Sequence, residues 1–248
     1  MKKYFNVMFE FNRQIIIQTI DDSIAKRQKG FVCVVDGNVL ATANKVVTYN
    51  SIVNSSIINC CDGSSIAMLA GRIHNEKLKT FTGPELFAYY ITKKVKQAFI
   101  GNSPEVQRIL KTKLEQLGVD MNLMTFIELP FLKFEDFNYS EIAEKINQTG
   151  SQISWVSLGA PKQEMFNSQL LPYINSGVLV GIGAGINLFL DEIDNKRSPK
   201  LIRKLKLEWL TRVIKEPKRI GLRALKYLWI IPKLINQEIK IKKNETVS

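Results

Sequence analysis

The sequence predicts an α/β fold: a Rossmann-like parallel sheet flanked by helices, followed by a basic helical C-terminal appendage. Three observations lead there. Helical and strand-like hydrophobic periods alternate through the middle of the chain. Three of the apolar runs end in glycine-rich turns, and the whole excess of positive charge sits in the last fifth of the 248 residues.

Taken in order, Met1–Phe11 holds lysines together with Asn6 and Glu10 and no apolar run, which does not read as a signal peptide. Glu85 to Phe99 has a helical pattern (Leu86, Tyr89, Tyr90, Val95) that runs into a short strand, Gln97–Gly101. Ser103 and Pro104 suit the N-cap and first position of a helix over Glu105 to Leu117. Met121 to Leu129 reads as a strand, and Tyr139 to Thr149 as a helix capped by Ser140. Ile153 to Leu158 is a strand, followed by Gly159-Ala160-Pro161-Lys162-Gln163-Glu164 and a helix through Leu171. The uncharged stretch from Leu170 to Leu190 has the length of a membrane span but contains Pro172 and four glycines. It reads better as a buried parallel strand, Val178 to Ile182, ending in a glycine turn. No integral membrane anchor is expected.

The strand ends Gly101-Asn102-Ser103, Gly159-Ala160-Pro161 and Gly181-Ile182-Gly183-Ala184-Gly185 are where an open α/β sheet binds ligands. Glycines there let the backbone approach phosphate, and helix N-termini favour anions. A nucleotide-type ligand follows, although tight packing turns use the same residues. No G-x-x-x-x-G-K-[S/T] run occurs, which disfavours a P-loop ATPase. Cys33, Cys60, Cys61 and one histidine, His74, argue against a disulfide scaffold, a zinc finger and a hydrolase triad.

Residues 1–195 hold 19 basic and 19 acidic side chains, whereas residues 196–248 hold 16 basic and 4 acidic ones. The reading is a neutral body, 1–195, and a basic amphipathic appendage, 196–248, that meets something anionic. If helical, the segment after Pro217 puts Arg219, Arg223 and Lys226 on one face and Leu222, Leu225 and Trp229 on the neighbouring one. That pattern suits an interfacial helix on a membrane surface; packing on the body and nucleic-acid binding are the alternatives.

Several segments together resemble the WecG/TagA/CpsF glycosyltransferases (glycosyltransferase family 26). Gly159–Glu164 resembles the family's GxPKQE signature, and Leu207-Glu-Trp-Leu to Glu216-Pro217-Lys218-Arg219 its LEWLxRLxxEPxR segment. Arg197-Ser-Pro199 stands where the family has RAP, Cys61-Asp62-Gly63 where it has PDG, and Thr82-Gly83-Pro-Glu-Leu86 resembles TGxDL. The resemblance runs from about Phe31 to Arg223. It implies inverting transfer of a sugar, of N-acetylmannosamine type or another hexose, from a UDP-sugar to a polyprenyl-diphosphate-linked saccharide. The setting would be cell-surface polysaccharide synthesis at the inner face of the cytoplasmic membrane. The chain contains no Asp-x-Asp, so no metal and no cofactor are expected, and backbone amides and arginines would neutralise the leaving group.

The resemblance makes Asp62 the catalytic base and places Gln163 at the reacting sugar. Asp36, Gly101, Asn102, Gly159, Lys162, Gly183, Ala184 and Gly185 fall to the UDP donor, and Arg212, Arg219 and Arg223 to the acceptor diphosphate or headgroups. Glu164 reads as a charge partner of a helix N-terminus, Trp209 as core packing, and His74 as a solvated loop residue. The chain departs from the family at three places: Val34 replaces a threonine, Ile186-Asn187 stands for FD, and Thr80 for an arginine. The lost threonine supports an alternative, a non-catalytic sugar-nucleotide or lipid-diphosphate binding subunit. Expected partners are the UDP-sugar, the lipid-linked acceptor and an anionic membrane surface, with no nucleic acid; a homo-oligomer is left open.

Overall fold

The computed structural model describes residues 1–194 and 221–245. It opens with a hairpin, β1 (Lys2–Tyr4) and β2 (Val7–Phe9), antiparallel and turned by Phe5 and Asn6, both at positive φ. A two-residue turn with two left-handed residues matches the twist of the strands it joins. Phe5 is buried, and its awkward φ of 50° is held from both sides. Its N–H donates to Glu238 at 2.7 Å, and its carbonyl accepts from Asn44 Nδ2 at 2.9 Å. Beyond the hairpin, Glu10 bridges Cys60 and covers a sheet edge that would otherwise be open.

The remainder alternates strongly. Helices α1 (Arg13–Ala25), α2 (Gly37–Ala43), α3 (Val47–Asn54), α4 (Ser64–His74), α5 (Gly83–Ile91), α6 (Pro104–Gln116), α7 (Tyr139–Thr149), α8 (Lys162–Leu170), α9 (Gly185–Ile193) and α10 (Leu222–Glu245) surround one sheet. Its strands are β3 (Lys29–Val35), β4 (Ile58–Cys61), β5 (Gln97–Gly101), β6 (Met124–Ile127), β7 (Ile153–Ser157) and β8 (Gly177–Gly181). They are all parallel, in the order β4-β3-β8-β7-β5-β6. This is the α/β class that the alternating pattern predicts. The inner strands are buried along almost their whole length, because helices cover both faces.

One face packs α2, α3, α4, α7, α8 and α10 around Val39, Leu40, Tyr49, Phe166 and Leu234. The other packs α1, α5, α6 and α9 around Ile20, Phe87, Phe99, Leu110, Trp155 and Phe189. Trp155 is wholly buried, with its indole N–H donated to Gln97 at 2.8 Å, so its large apolar surface carries no unpaired polar atom.

Several boundaries move from their predicted places. The Met121–Leu129 strand shrinks to β6, because Asp120 captures the Asn122 N–H in a 3₁₀ turn and Pro130 offers no N–H at the far end. Helix α7 is capped by Asn138, whose Oδ1 accepts from Glu141 N–H at 3.2 Å, and Ser140 lies inside the helix. Ser103 does cap α6, with Pro104 in its first turn.

The appendage reading meets two faces of α10. Ile230, Leu234 and Glu238, spaced by four, are buried against the body, while Leu222, Leu225, Leu228 and Trp229 stand exposed, Trp229 to 85%. The boundary near residue 195, together with Arg197, Trp209, Arg212 and Arg219, lies outside the described residues. His74, expected in solvent, is a correction. Its ring is only 5% exposed and pairs with the 3%-exposed Glu238 carboxylate at 2.9 Å, edge-on to Tyr4.

Candidate active site

Because all six strands run the same way, their carboxyl ends share one edge. Helices leave the neighbouring strands β3 and β8 toward opposite faces, α2 to one and α9 to the other. Such a divergence opens a crevice in an α/β sheet. The turns after β3, β4, β5, β7 and β8 carry Asp36, Asp62, Gly101-Asn102, Gly159–Gln163 and Gly183–Gly185. The parallel sheet therefore gathers residues spread over 150 positions on one rim.

Asp62 follows β4 directly. Its N–H extends the ladder to Val35 O at 3.0 Å, and its Oδ1 accepts from Gly83 N–H at 3.3 Å. Gly83 opens α5 under a capping box formed by Thr82 and Glu85, so a rigid helix start fixes the carboxylate. Asp62 is half-buried, which leaves it reachable from the crevice. Asp36 is tied differently: its Oδ1 caps α2 through Val39 N–H at 2.9 Å.

The glycine turns are held by a set of short links. Gly101 and Asn102 are both left-handed, at φ 81° and 66°, and Asn102 Nδ2 is buried with no partner among the described residues. Ser157 Oγ donates to Gly183 O at 3.0 Å, and Asn38 Nδ2 to Ala160 O at 3.3 Å. Helices α4, α8 and α9, which start at this rim, have no side-chain cap, whereas Asp36 caps α2 and Ser103 caps α6. Uncapped helix starts present backbone N–H groups and the positive dipole end to an anion.

The three signature residues at the start of α8 have three different surroundings. Lys162 reaches the loop that follows β6: its ammonium donates to Leu132 O and lies 5.0 Å from the Phe137 ring and 5.7 Å from Phe131. Gln163 is buried at 3% exposure; its Oε1 accepts from Gly159 N–H at 3.1 Å and its Nε2 donates to Glu164 at 2.8 Å. Glu164 is completely buried, not a surface charge, and also accepts from Tyr49 Oη at 2.8 Å. Burial pushes its carboxyl up to about 7, against the pull of those two hydrogen bonds. The Tyr49 hydroxyl and Cys33 thiol rise well above their ordinary values, chiefly through burial and then through the neighbouring Glu164.

Tyr227 of α10 completes the rim near the two aspartates. Its hydroxyl bonds Ser65 at 2.9 Å in the first turn of α4, and its ring lies over Gly37 in the first turn of α2. Arg223 lies one turn earlier on the same helix. Sequence reasoning missed Tyr49, Asn38, Ser157 and Tyr227, since each acts through a partner remote in the chain. A family model for the glycosyl transferase WecG/TagA/CpsF family matches residues 5–244, from the hairpin turn almost to the end of α10.

Proposed function

The chain belongs to the WecG/TagA/CpsF family of glycosyltransferases, enzymes of cell-surface polysaccharide synthesis, and we propose that it moves a sugar from a UDP-sugar to a polyprenyl-diphosphate-linked saccharide. The observation that carries this reading is the makeup of the rim. Two half-buried carboxylates, Asp62 and the α2-capping Asp36, share it with three uncapped helix starts and an Asn102 amide nitrogen that has no partner among the described residues. A displacement at a sugar carbon needs both components. Asp62 takes the proton of the acceptor hydroxyl as that oxygen bonds the anomeric carbon. The bond to UDP breaks on the opposite side, inverting the centre, and the diphosphate charge falls on backbone N–H groups in a preorganised site. No metal is required in this scheme. Gln163 supports the rim from inside, and Asp36 shapes the start of α2.

The exposed Leu222, Leu225, Leu228 and Trp229, beside Arg223 and Lys226, support a membrane-surface role for the first half of α10. Among the described residues, no helix is long and apolar enough to cross a membrane.

A second reading rests on Val34. Where the family carries a threonine hydroxyl, this chain packs a valine side chain, 6% exposed, 3.4 Å from where a Gly83 Cβ would lie. That favours a binding subunit without turnover. Purified protein given a panel of UDP-sugars and a short-chain polyprenyl-diphosphate sugar separates the two. UDP release with a lengthened acceptor is the expected result. Binding of UDP or of the polyprenyl-diphosphate sugar without release establishes the binding subunit, and absence of both kinds of binding overturns both readings.

A further inference from the structure

We propose that Glu164 is a positioning residue for the transfer reaction: its carboxylate decides which way the Gln163 amide points, and through it holds the Gly159–Pro161 turn in shape. The proposal rests on the reading of the carboxyl rim as the donor site.

Gln163 lies between one donor and one acceptor. Gly159 N–H needs an oxygen, and the Glu164 carboxylate needs an N–H; only one orientation of the amide satisfies both. Water offers no alternative at 3% exposure. Glycines wall the amide in: a Cβ at Gly181 would stand 3.1 Å from Gln163 Nε2, and one at Gly183 would stand 3.4 Å from Oε1. The same turn is tied at Ala160 O by Asn38. The chain Tyr49–Glu164–Gln163–Gly159 is therefore a relay from α3 to the end of β7 that touches no solvent until the turn.

The relay depends on charge. Ionised, Glu164 accepts from both Tyr49 and Gln163. Protonated, the acid keeps one carbonyl oxygen; with that oxygen held by the buried Tyr49 O–H, its own O–H points at Gln163, the amide turns its oxygen inward, and Nε2 then faces Gly159 N–H, donor against donor. The turn loses its tie at Gly159. The groups that face Glu164 are Tyr49 of α3, Cys33 of β3 and Asp36 at the start of α2. Helix α7 brings Tyr139 against Phe166, while β7 and β8 contain no titratable side chain. Lys162 faces outward, and among the described residues no cation pairs with Glu164. Burial among these neutral and acidic neighbours brings the carboxyl to about 7, so the turn would be tied above neutrality and released below it.

The test is amide exchange of Gly159 by NMR in the full-length protein at pH 6 and pH 8, corrected for intrinsic exchange, with UDP affinity measured by calorimetry at the same pH values. In the wild type, Gly159 protection should rise at least about tenfold from pH 6 to pH 8, as expected for gain of a buried hydrogen bond. UDP affinity should rise with it. Glu164→Gln, a neutral isostere, should show the low protection at both pH values while its melting temperature at pH 8 stays at or above the wild-type value. A purely structural glutamate would instead lose stability there. Tyr49→Phe, a milder change, should move the protection midpoint upward by roughly one pH unit. Equal Gly159 protection in wild type and both variants at both pH values overturns the proposal. Protection that follows Glu164 with no UDP binding at any pH keeps the relay and overturns the donor reading.

Discussion

Two buried glutamates hold opposite ends of this molecule, and they are held in opposite ways. Glu238, on the inward stripe of α10, meets the His74 imidazole and the Phe5 backbone N–H. It clasps the tail to α4 and to the strained hairpin turn. Glu164, on α8, accepts from a phenol and an amide, has no cation beside it among the described residues, and stands next to the rim of the sheet. A buried carboxylate with a titratable base and a main-chain donor serves the fold. One with no cation beside it costs the fold more to keep ionised. The difference separates what fastens this protein from what operates it.

The largest expected effect is at the rim itself. Asp62→Asn should slow transfer by roughly 10²- to 10⁴-fold, the usual worth of a general base, and leave UDP affinity within a few fold. Steady-state rates and calorimetry check it, and near-normal turnover would move the base elsewhere, to Asp36 first.

Next comes the clasp. Glu238→Ala strands His74 and the Phe5 N–H in the interior, and should cost about 3 kcal/mol in urea unfolding, with kcat in the surviving folded fraction little changed. A loss of activity exceeding the loss of folded protein would break the division between the two glutamates.

The outward stripe of the same helix gives a third measurement. Leu225→Ser with Trp229→Ser should weaken sedimentation with anionic vesicles at least about tenfold, since each lost apolar side chain is worth on the order of 1–2 kcal/mol of insertion. Melting temperature should hold, because both side chains are exposed. Deleting everything after Glu216, which the sequence suggests would spare the body, is the wrong experiment: it would strip Ile230, Leu234 and Glu238 from the core.

The last effect is a slope. The folded carboxyl of Glu164 sits near 7 against an ordinary 4.5, so the folded chain binds that proton more tightly than the unfolded one. Its contribution to stability is full below about pH 4.5 and is lost as pH rises through about 7. Unfolding free energy measured across that window should fall in the wild type and flatten in Glu164→Gln. Identical slopes would mean that Glu164 carries no such proton.

Much of this architecture could be read before any coordinates. Strands ending in glycine and a helix opening on Ser103 are local events, written in neighbouring residues. The gathering of Asp36, Asp62, Asn102 and Gly183 on one rim then follows from parallel topology alone. Lys162, Gln163 and Glu164 were harder, because the first turn of a helix can point into a crevice, into the core or toward a neighbouring loop. Sequence spacing does not choose among these; Tyr49, Phe137 and Leu132 do, from 25 to 115 positions away. The helix cap at Asn138 instead of Ser140 was a contest between two adequate residues, decided by where the chain leaves its preceding turn. The second face of α10 escaped notice because a glutamate on an apolar stripe reads as an interruption until its histidine is found.

Tyr227 lying over Gly37 has a consequence for how such chains diverge. A Cβ at residue 37 would come within 2.9 Å of the Tyr227 ring carbon Cγ, closer than packed atoms tolerate. A chain with any side chain at 37 must therefore carry something narrower than tyrosine at 227, or give up the seat of the tail beside Ser65. Across related sequences a side chain at 37 should come only with a narrower residue at 227, 190 positions away, whereas 227 is free to change opposite a glycine.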